Sequence, residues 1–73
     1  SWPQQYLAQG KGKFQSSCSI CHALPTAERT KAFASDGDLV QITITMVGFV
    51  RLSDEDAAGV VRYLLALRHD TAP

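Results

Sequence analysis

Two cysteines and a histidine near the N-terminus are the residues of this sequence best suited to chemistry. They are Cys18, Cys21 and His22 in the string C-S-I-C-H, and the chain of 73 residues contains no further cysteine. A disulfide between Cys18 and Cys21 would close a very short loop and would remove little entropy from the unfolded chain. The pair is therefore better suited to holding a cofactor or a metal, or to redox chemistry, than to stapling the fold.

Three kinds of site fit this spacing. The string C-x-x-C-H is the attachment signature of c-type haem, in which two thiols add to the haem vinyl groups and the adjacent histidine binds the iron. A thioredoxin-like thiol pair would follow a strand of a βαβ pattern, and no strand pattern precedes Cys18. A structural zinc site would need a fourth ligand, and His69 is the only other histidine. The spacing favours haem and leaves the other two as alternatives.

Composition and charge exclude several other classes. A content of 45% hydrophobic and 19% charged residues is typical of a folded protein, and residues 1–73 suffice for a single domain. A net charge of zero argues against nucleic acid as a partner. No apolar run approaches the ~20 residues that span a bilayer. We find no general acid–base pair, activated nucleophile or phosphate loop, and we expect no enzyme activity.

The first helix is expected over residues 3–16, because Pro3 suits the first turn of a helix. The residues that share one face of this helix are Tyr6, Leu7, Gly10 and Phe14. Gly10 and Gly12 both lower helix propensity. At least one of these glycines is therefore expected to allow the close approach of another backbone.

The middle of the chain is harder to assign. Residues 23–37 are expected to form a loop, with a short turn of helix around residues 27–33. The next residues alternate apolar and polar side chains as a strand does, but the sequence offers no second strand to pair with. They also satisfy a helical face, so we expect a helix over about residues 38–46 with Asp36 or Asp38 as its N-cap.

The last helix has the clearest signals. Ser53 begins a capping-box-like stretch with acidic residues in the first turn, where the helix dipole favours them. Arg68 and His69 lie in the last turn, and Pro73 lies beyond it. The residues of the expected apolar face are Val60, Val61, Leu64, Leu65 and Leu67.

Together, these features resemble the soluble monohaem cytochromes c with histidine and methionine as axial ligands, over nearly the whole chain. Members of that family typically carry a glycine and an aromatic residue before the motif, at the places of Gly10 and Phe14. They end in a helix whose Tyr-Leu pair, here Tyr63-Leu64, packs against that glycine. The stretch at 52–56 is similar to the usual start of that helix. The resemblance implies an all-α cytochrome c fold of about three main helices around one covalent haem c.

The resemblance also implies the haem ligands. Cys18 and Cys21 would form the thioethers, His22 would be one axial ligand, and a methionine between the motif and the last helix would be the other. Met46 lies in that interval and is the only methionine of the chain. A methionine on an apolar stripe is more commonly core filler, but a thioether suits iron and raises the reduction potential relative to two histidines. His69 is the rival for the second axial position.

The chain departs from larger members of the family near the motif. Their proline about a dozen residues past the histidine is absent, and Pro25 follows His22 by only three residues. We expect the carbonyl of Leu24 or Pro25 to accept the proton of His22. The expected apolar pocket consists of Leu24, Phe33, Leu39, Ile42, Val47, Phe49 and Leu64. The candidates for binding the haem propionates are Arg29, Lys31, Arg51 and Gln41.

The function implied by the resemblance is the transfer of single electrons between redox proteins such as a dehydrogenase, a reductase or an oxidase. The alternative is a haem domain or subunit of a larger dehydrogenase or reductase complex. Gas sensing or peroxidase chemistry would require an iron position that Met46 leaves open. The resemblance implies a periplasmic protein that is exported by a signal segment absent from this chain, either a monomer or part of a complex.

The zero net charge hides an asymmetry along the chain. Residues 1–35 carry four basic residues and one acidic residue, and residues 36–73 carry three basic and six acidic residues. Such a distribution can orient a protein toward a charged partner. The expected docking surface is the thioether edge near residues 17–21, which Lys11 and Lys13 flank.

Overall fold

The computed structural model describes residues 2–17 and 26–73, and the secondary structure within these ranges is helical. The helices are α1 (Gln4–Ser17), α2 (Ala27–Lys31), α3 (Asp36–Val47) and α4 (Asp54–Arg68). No strand occurs in the part of the chain that is described, which confirms the all-α class. The segment expected as a helix over about residues 38–46 is indeed α3.

The last three helices each begin at a side-chain cap. The hydroxyls of Thr26, Ser35 and Ser53 accept hydrogen bonds from the backbone N–H three residues further on, at 3.1–3.2 Å. The cap expected at Ser53 is confirmed. The cap expected at Asp36 or Asp38 is wrong, because both residues already belong to the first turn of α3 while Ser35 has the extended backbone of an N-cap.

The helices α1 and α4 cross in backbone contact. A Cβ atom at Gly10 would overlap the carbonyl group of Gly59 and would lie 3.1 Å from the Cβ of Tyr63. Only glycine therefore fits at position 10. A Cβ at Gly12 would meet nothing within 4 Å, so one glycine of the expected pair allows the close approach and the other does not.

The buried core lies along α4. Its central cluster consists of Phe14, Leu39, Val60, Tyr63 and Leu64. The expected α4 face holds for Val60 and Leu64, whereas Val61, Leu65 and Leu67 are only half-buried. Tyr6 departs from the expected face of α1, since it is 45% exposed while its neighbour Leu7 is fully buried. Each of the other helices packs against α4, which makes α4 the central element.

A Schellman-type turn ends α4. Asp70 has a φ of 60°, in the left-handed region that aspartate tolerates better than most residues. This conformation lets the N–H of Thr71 donate to the carbonyl of Ala66 at 2.8 Å and the N–H of Asp70 donate to that of Leu67 at 3.3 Å. The turn brings the Asp70 carboxylate to Lys31 on α2, 2.6 Å from its Nζ.

Within residues 2–17 and 26–73, the helices are too short or too polar for any of them to cross a lipid bilayer.

The glycine at the helix crossing leads to a paired prediction. Gly10→Ala will lower the free energy of unfolding by about 2 kcal/mol or more, because the new methyl group must push α1 away from α4. Gly12→Ala will raise it by ~0.5–1 kcal/mol, because alanine loses less entropy than glycine in an exposed helical position. Urea denaturation of both variants and the parent measures the two effects, and a Gly10→Ala protein as stable as the parent would contradict the crossing.

Candidate functional site

An apolar cavity of about 520 Å³ lies between α3, the α2 region, α1 and α4. Its size falls within the range of about 300–1,000 Å³ that is usual for pockets that hold small molecules and cofactors. The residues that line it are Phe14, Arg29, Thr30, Ala32, Phe33, Leu39, Ile42, Thr43, Met46 and Leu64. Most of the wall therefore comes from one stretch of chain, residues 29–46, and α1 and α4 complete it.

One face of α3 forms much of this wall. Leu39, Ile42, Thr43 and Met46 follow the spacing of residues that share a helical face. The Thr43 hydroxyl donates to the carbonyl of Leu39 at 2.7 Å. On α2, the Thr30 hydroxyl donates in the same way to its own helix. Because both hydroxyl protons are used within a helix, neither threonine leaves an unpaired hydroxyl donor in the cavity wall.

The sulfur-bearing residue predicted from the sequence lies in this wall. Met46 is in the last turn of α3, lines the cavity and is 40% exposed. It is not core filler, since the buried cluster does not include it. The side chain is accessible to a group that enters the cavity.

The other predicted ligands, Cys18, Cys21 and His22, lie outside the described residues. In sequence, they come directly after α1 and shortly before α2. Phe14 on α1 and Thr30 on α2 both line the cavity. The motif is therefore flanked on both sides by helices that contribute to the cavity wall.

The expected pocket agrees with the cavity in part. Phe33, Leu39, Ile42 and Leu64 line it, and Leu24 lies outside the described residues. Val47 and Phe49 are not in the wall. Phe49 is 83% exposed because α3 ends at Val47 and the chain then turns, which carries the phenyl ring away from the helical face.

Sequence reasoning missed several residues of the wall. The spacing of four residues from Leu39 could have identified Thr43. Phe14, which is expected on one face of the first helix and corresponds to the family's aromatic residue, also lines the cavity. Nothing in the local pattern of Thr30 and Ala32 indicates a cavity, because their position follows from the packing of α2 against α4.

The four candidates for binding the haem propionates differ in where they lie relative to the cavity. Arg29 lines the cavity. Lys31 instead forms an ion pair with Asp70 at 2.6 Å. Gln41 and Arg51 are exposed and do not belong to the wall. Within the described part of the chain, Arg29 is the cation that borders the cavity.

A cluster of charged side chains lies beside the cavity, at the C-terminal end of α4. Asp36 accepts hydrogen bonds from the Nε2 of His69, at 2.8 and 3.0 Å, and forms an ion pair with the Nε of Arg68 at 2.8 Å. The hydrogen bond from His69 and the charges of His69 and Arg68 hold the pKa of Asp36 below its ordinary value of 3.8, although partial desolvation opposes them. His69, the rival for the second axial position, is exposed, forms hydrogen bonds with Asp36 and does not line the cavity. Among residues 2–17 and 26–73, no three His, Cys, Asp or Glu side chains form a group that could hold a metal ion.

The charge asymmetry along the sequence is reduced in the folded chain, because some basic residues of the first half form ion pairs with acidic residues of the second half. Lys13 from the basic half lies 3.2 Å from Asp56 of the acidic half. Lys31 and Asp70 join the two halves in the same way. The folded chain thus pairs charges that the sequence separates, and Lys13 is not a free cation next to the motif.

Comparisons with protein-family models, with curated protein sequences and with solved structures found no match for this chain.

Behind the cavity, Phe14 packs against Tyr63 with ring centroids 6.4 Å apart. Burial raises the pKa of the Tyr63 phenol above its ordinary value of 10.0. The unfolded chain exposes this phenol and loses its proton at lower pH than the folded protein does. The stability that the neutral phenol contributes is therefore present below pH 10 and is lost as the pH rises further.

This shift predicts a difference between the two tyrosines at alkaline pH. We expect Tyr63→Phe to flatten the fall in the free energy of unfolding above pH ~10, because phenylalanine has no proton to lose. Tyr6→Phe is the matched control, since Tyr6 is exposed, and it should keep the full fall. Urea denaturation at a series of pH values tests this, and equal alkaline slopes for Tyr63→Phe and the parent would exclude the mechanism.

Proposed function

We propose that this chain carries one covalently attached haem c and transfers single electrons between redox partner proteins. In this proposal, Cys18 and Cys21 form the thioethers, and His22 and Met46 are the axial ligands of the iron. The observation that supports it most strongly is the cavity of about 520 Å³, whose wall contains the only methionine of the chain. A C-x-x-C-H motif and a thioether are thus combined with an apolar space large enough for a cofactor.

The chemistry of the cavity wall fits a haem. Its side chains are mainly apolar, and the hydroxyls of Thr30 and Thr43 are bonded within their own helices. Protein interiors are close-packed, so an open apolar space of this size indicates a place for a ligand. Arg29 at the wall supplies one positive charge, which suits an apolar group that carries a carboxylate.

Haem c, when bound, supplies a one-electron change at its iron. The residues of the chain control the environment of that change. Phe33, Leu39 and Leu64 would give a bound haem an apolar surrounding, and a low-polarity surrounding disfavours additional positive charge. The neutral thioether of Met46 acts in the same direction as a soft ligand. Both effects favour the reduced state.

The proposal describes a carrier and not an enzyme. If His22 and Met46 both bound the iron, they would leave no position for a substrate. In this proposal the partners are redox proteins, and the resemblance to cytochromes c implies a periplasmic protein. The docking surface near residues 17–21 remains part of the proposal, although Lys13 contributes there as a member of an ion pair with Asp56.

Intact mass tests the covalent attachment. We expect the chain, produced with a c-type haem maturation system, to be heavier by one haem that resists acid–solvent extraction. The double variant Cys18→Ala, Cys21→Ala should have the mass of the polypeptide alone. The haem-loaded protein should titrate with the slope of a one-electron couple. A colourless parent protein, or a haem that acid and solvent extract, would refute the proposal.

A pair of variants tests the axial thioether. Met46→Leu keeps an apolar side chain of similar volume but removes the sulfur, so the ferric Fe–S(Met) charge-transfer band in the red should disappear and the reduction potential should fall. Ile42→Leu changes another residue of the same wall without removing a ligand, and it should keep both properties. A parent protein that lacks this band, and whose reduction potential does not change in Met46→Leu, would show that another residue, such as His69, binds the iron.

A further inference from the structure

Arg68 contacts both the end of α2 and the start of α3, and these two segments supply most of the cavity wall. Its side chain is only 14% exposed, at the end of α4, and it does not itself line the cavity. We propose that Arg68 is a positioning residue that fixes the segment from α2 to α3 and, through α3, the place of the Met46 side chain. The part that concerns Met46 as a ligand rests on the proposed function, whereas the part that concerns α3 does not.

The first set of contacts is with the end of α2. The Nη1 of Arg68 donates to the carbonyls of Thr30 and Phe33, at 2.5 and 2.9 Å. The last carbonyls of a helix have no partners within the helix, and a basic side chain can satisfy them. Arg68 therefore binds the chain where α2 ends, next to two residues that line the cavity.

The second contact is with the start of α3. The Nε of Arg68 lies 2.8 Å from the Oδ1 of Asp36, which is the first residue of α3. A guanidinium group has several donors in one rigid plane, so it can hold both segments in a fixed relation. A lysine ammonium has a single nitrogen and could not reach the carbonyls and the carboxylate with the same geometry.

Because α3 is long, a small change in the orientation of its first turn would move Met46 near its other end. With a rise of ~1.5 Å per residue, Asp36 and Met46 are separated by about 15 Å along the helix axis. A tilt of about 5° at the first turn would then displace the far end by roughly 1 Å. The buried residues of α3 are Leu39, which belongs to the central cluster and lies close to the same end, and Thr43, and the described residues of α3 beyond Thr43 are not buried. The position of the Met46 end of α3 depends on these contacts, because the central cluster contains no residue from that end of the helix.

The charged neighbours of Asp36 make the contact sensitive to acid. His69 and Arg68 from α4 face the carboxylate, and Lys31 and Asp70 form a separate ion pair at the same end of the molecule. The hydrogen bond from His69, followed by the two neighbouring charges, lowers the pKa of Asp36 below 3.8. The stabilisation is thus present above pH 3.8 and is lost as the pH falls through the lowered pKa.

The test compares Arg68→Met and Arg68→Lys with Lys31→Met in the protein as purified. Lys31→Met removes one positive charge and an exposed ion pair at the same end of the molecule, so it controls for charge. Hydrogen exchange of backbone amides reports the stability of each helix. In haem-loaded protein, the ferric charge-transfer band and the reduction potential report the thioether.

We expect Arg68→Met to speed amide exchange in α3 by about tenfold or more, because two carbonyls and a carboxylate lose their donor, while exchange at Val60–Leu64 changes by less than about threefold. Arg68→Lys should lie between this variant and the parent, and Lys31→Met should resemble the parent. The ferric charge-transfer band should be weakest in Arg68→Met and intermediate in Arg68→Lys, and Lys31→Met should keep the band of the parent. Unchanged α3 exchange in Arg68→Met, or equal acceleration in every helix, would overturn the positioning role.

Asp36→Asn provides a milder variant if Arg68→Met does not fold. It keeps the bonds from Arg68 to the two carbonyls and removes only the carboxylate. In the parent, protection of α3 relative to α4 should decline below pH 3.8, and in Asp36→Asn this decline should be absent. A parent and variant with the same acid profile would overturn the role of Asp36. Because amide exchange does not depend on an attached haem, a failure of the proposed function is distinguishable from a failure of this inference.

Discussion

The contact between Gly10 on α1 and Gly59 on α4 is the constraint on which the rest of the structure depends. A side chain at position 10 would collide with the α4 backbone, so the two longest helices approach closely only because this position is glycine. The close crossing packs Phe14 against Tyr63 and brings both Phe14 and Leu64 to the cavity. One missing methyl group thus determines where two helices meet and where one end of the candidate site lies.

The helix α4 transmits this constraint to the remainder of the chain. It packs against every other helix, through Val60 and Leu64 in the core and through Arg68 at its end. The α2 and α3 segments are held against α4, and an apolar space remains between these segments, α1 and α4. Within the described part of the chain, this space has a volume of about 520 Å³, which is large enough for the cofactor that we propose. The proposed haem would supply the apolar mass that the polypeptide lacks.

Much of the secondary structure could be predicted because its signals are local. Ser53 and the acidic residues after it mark the start of α4, and the apolar period marks its length. For α3, the alternating pattern resembled a strand, and the helix prevailed because its hydrogen bonds need no partner segment. The N-cap was harder to predict, since Ser35, Asp36 and Asp38 are all suitable residue types. The backbone direction at Ser35 made the choice, and that direction depends on how the chain leaves α2.

The sequence by itself determined the all-helical class and the need for a glycine at a helix crossing. It also contains a C-x-x-C-H motif followed by a single methionine, which are residue types that bind haem. Only the tertiary structure decided which side chains meet. It placed Met46 and Arg29 in one cavity wall, paired Lys31 with Asp70, and joined Arg68 to the ends of two other helices. The physical reason is the range of the interactions. Caps and helical faces depend on residues a few positions apart, whereas cavities and ion pairs between helices depend on residues more than thirty positions apart.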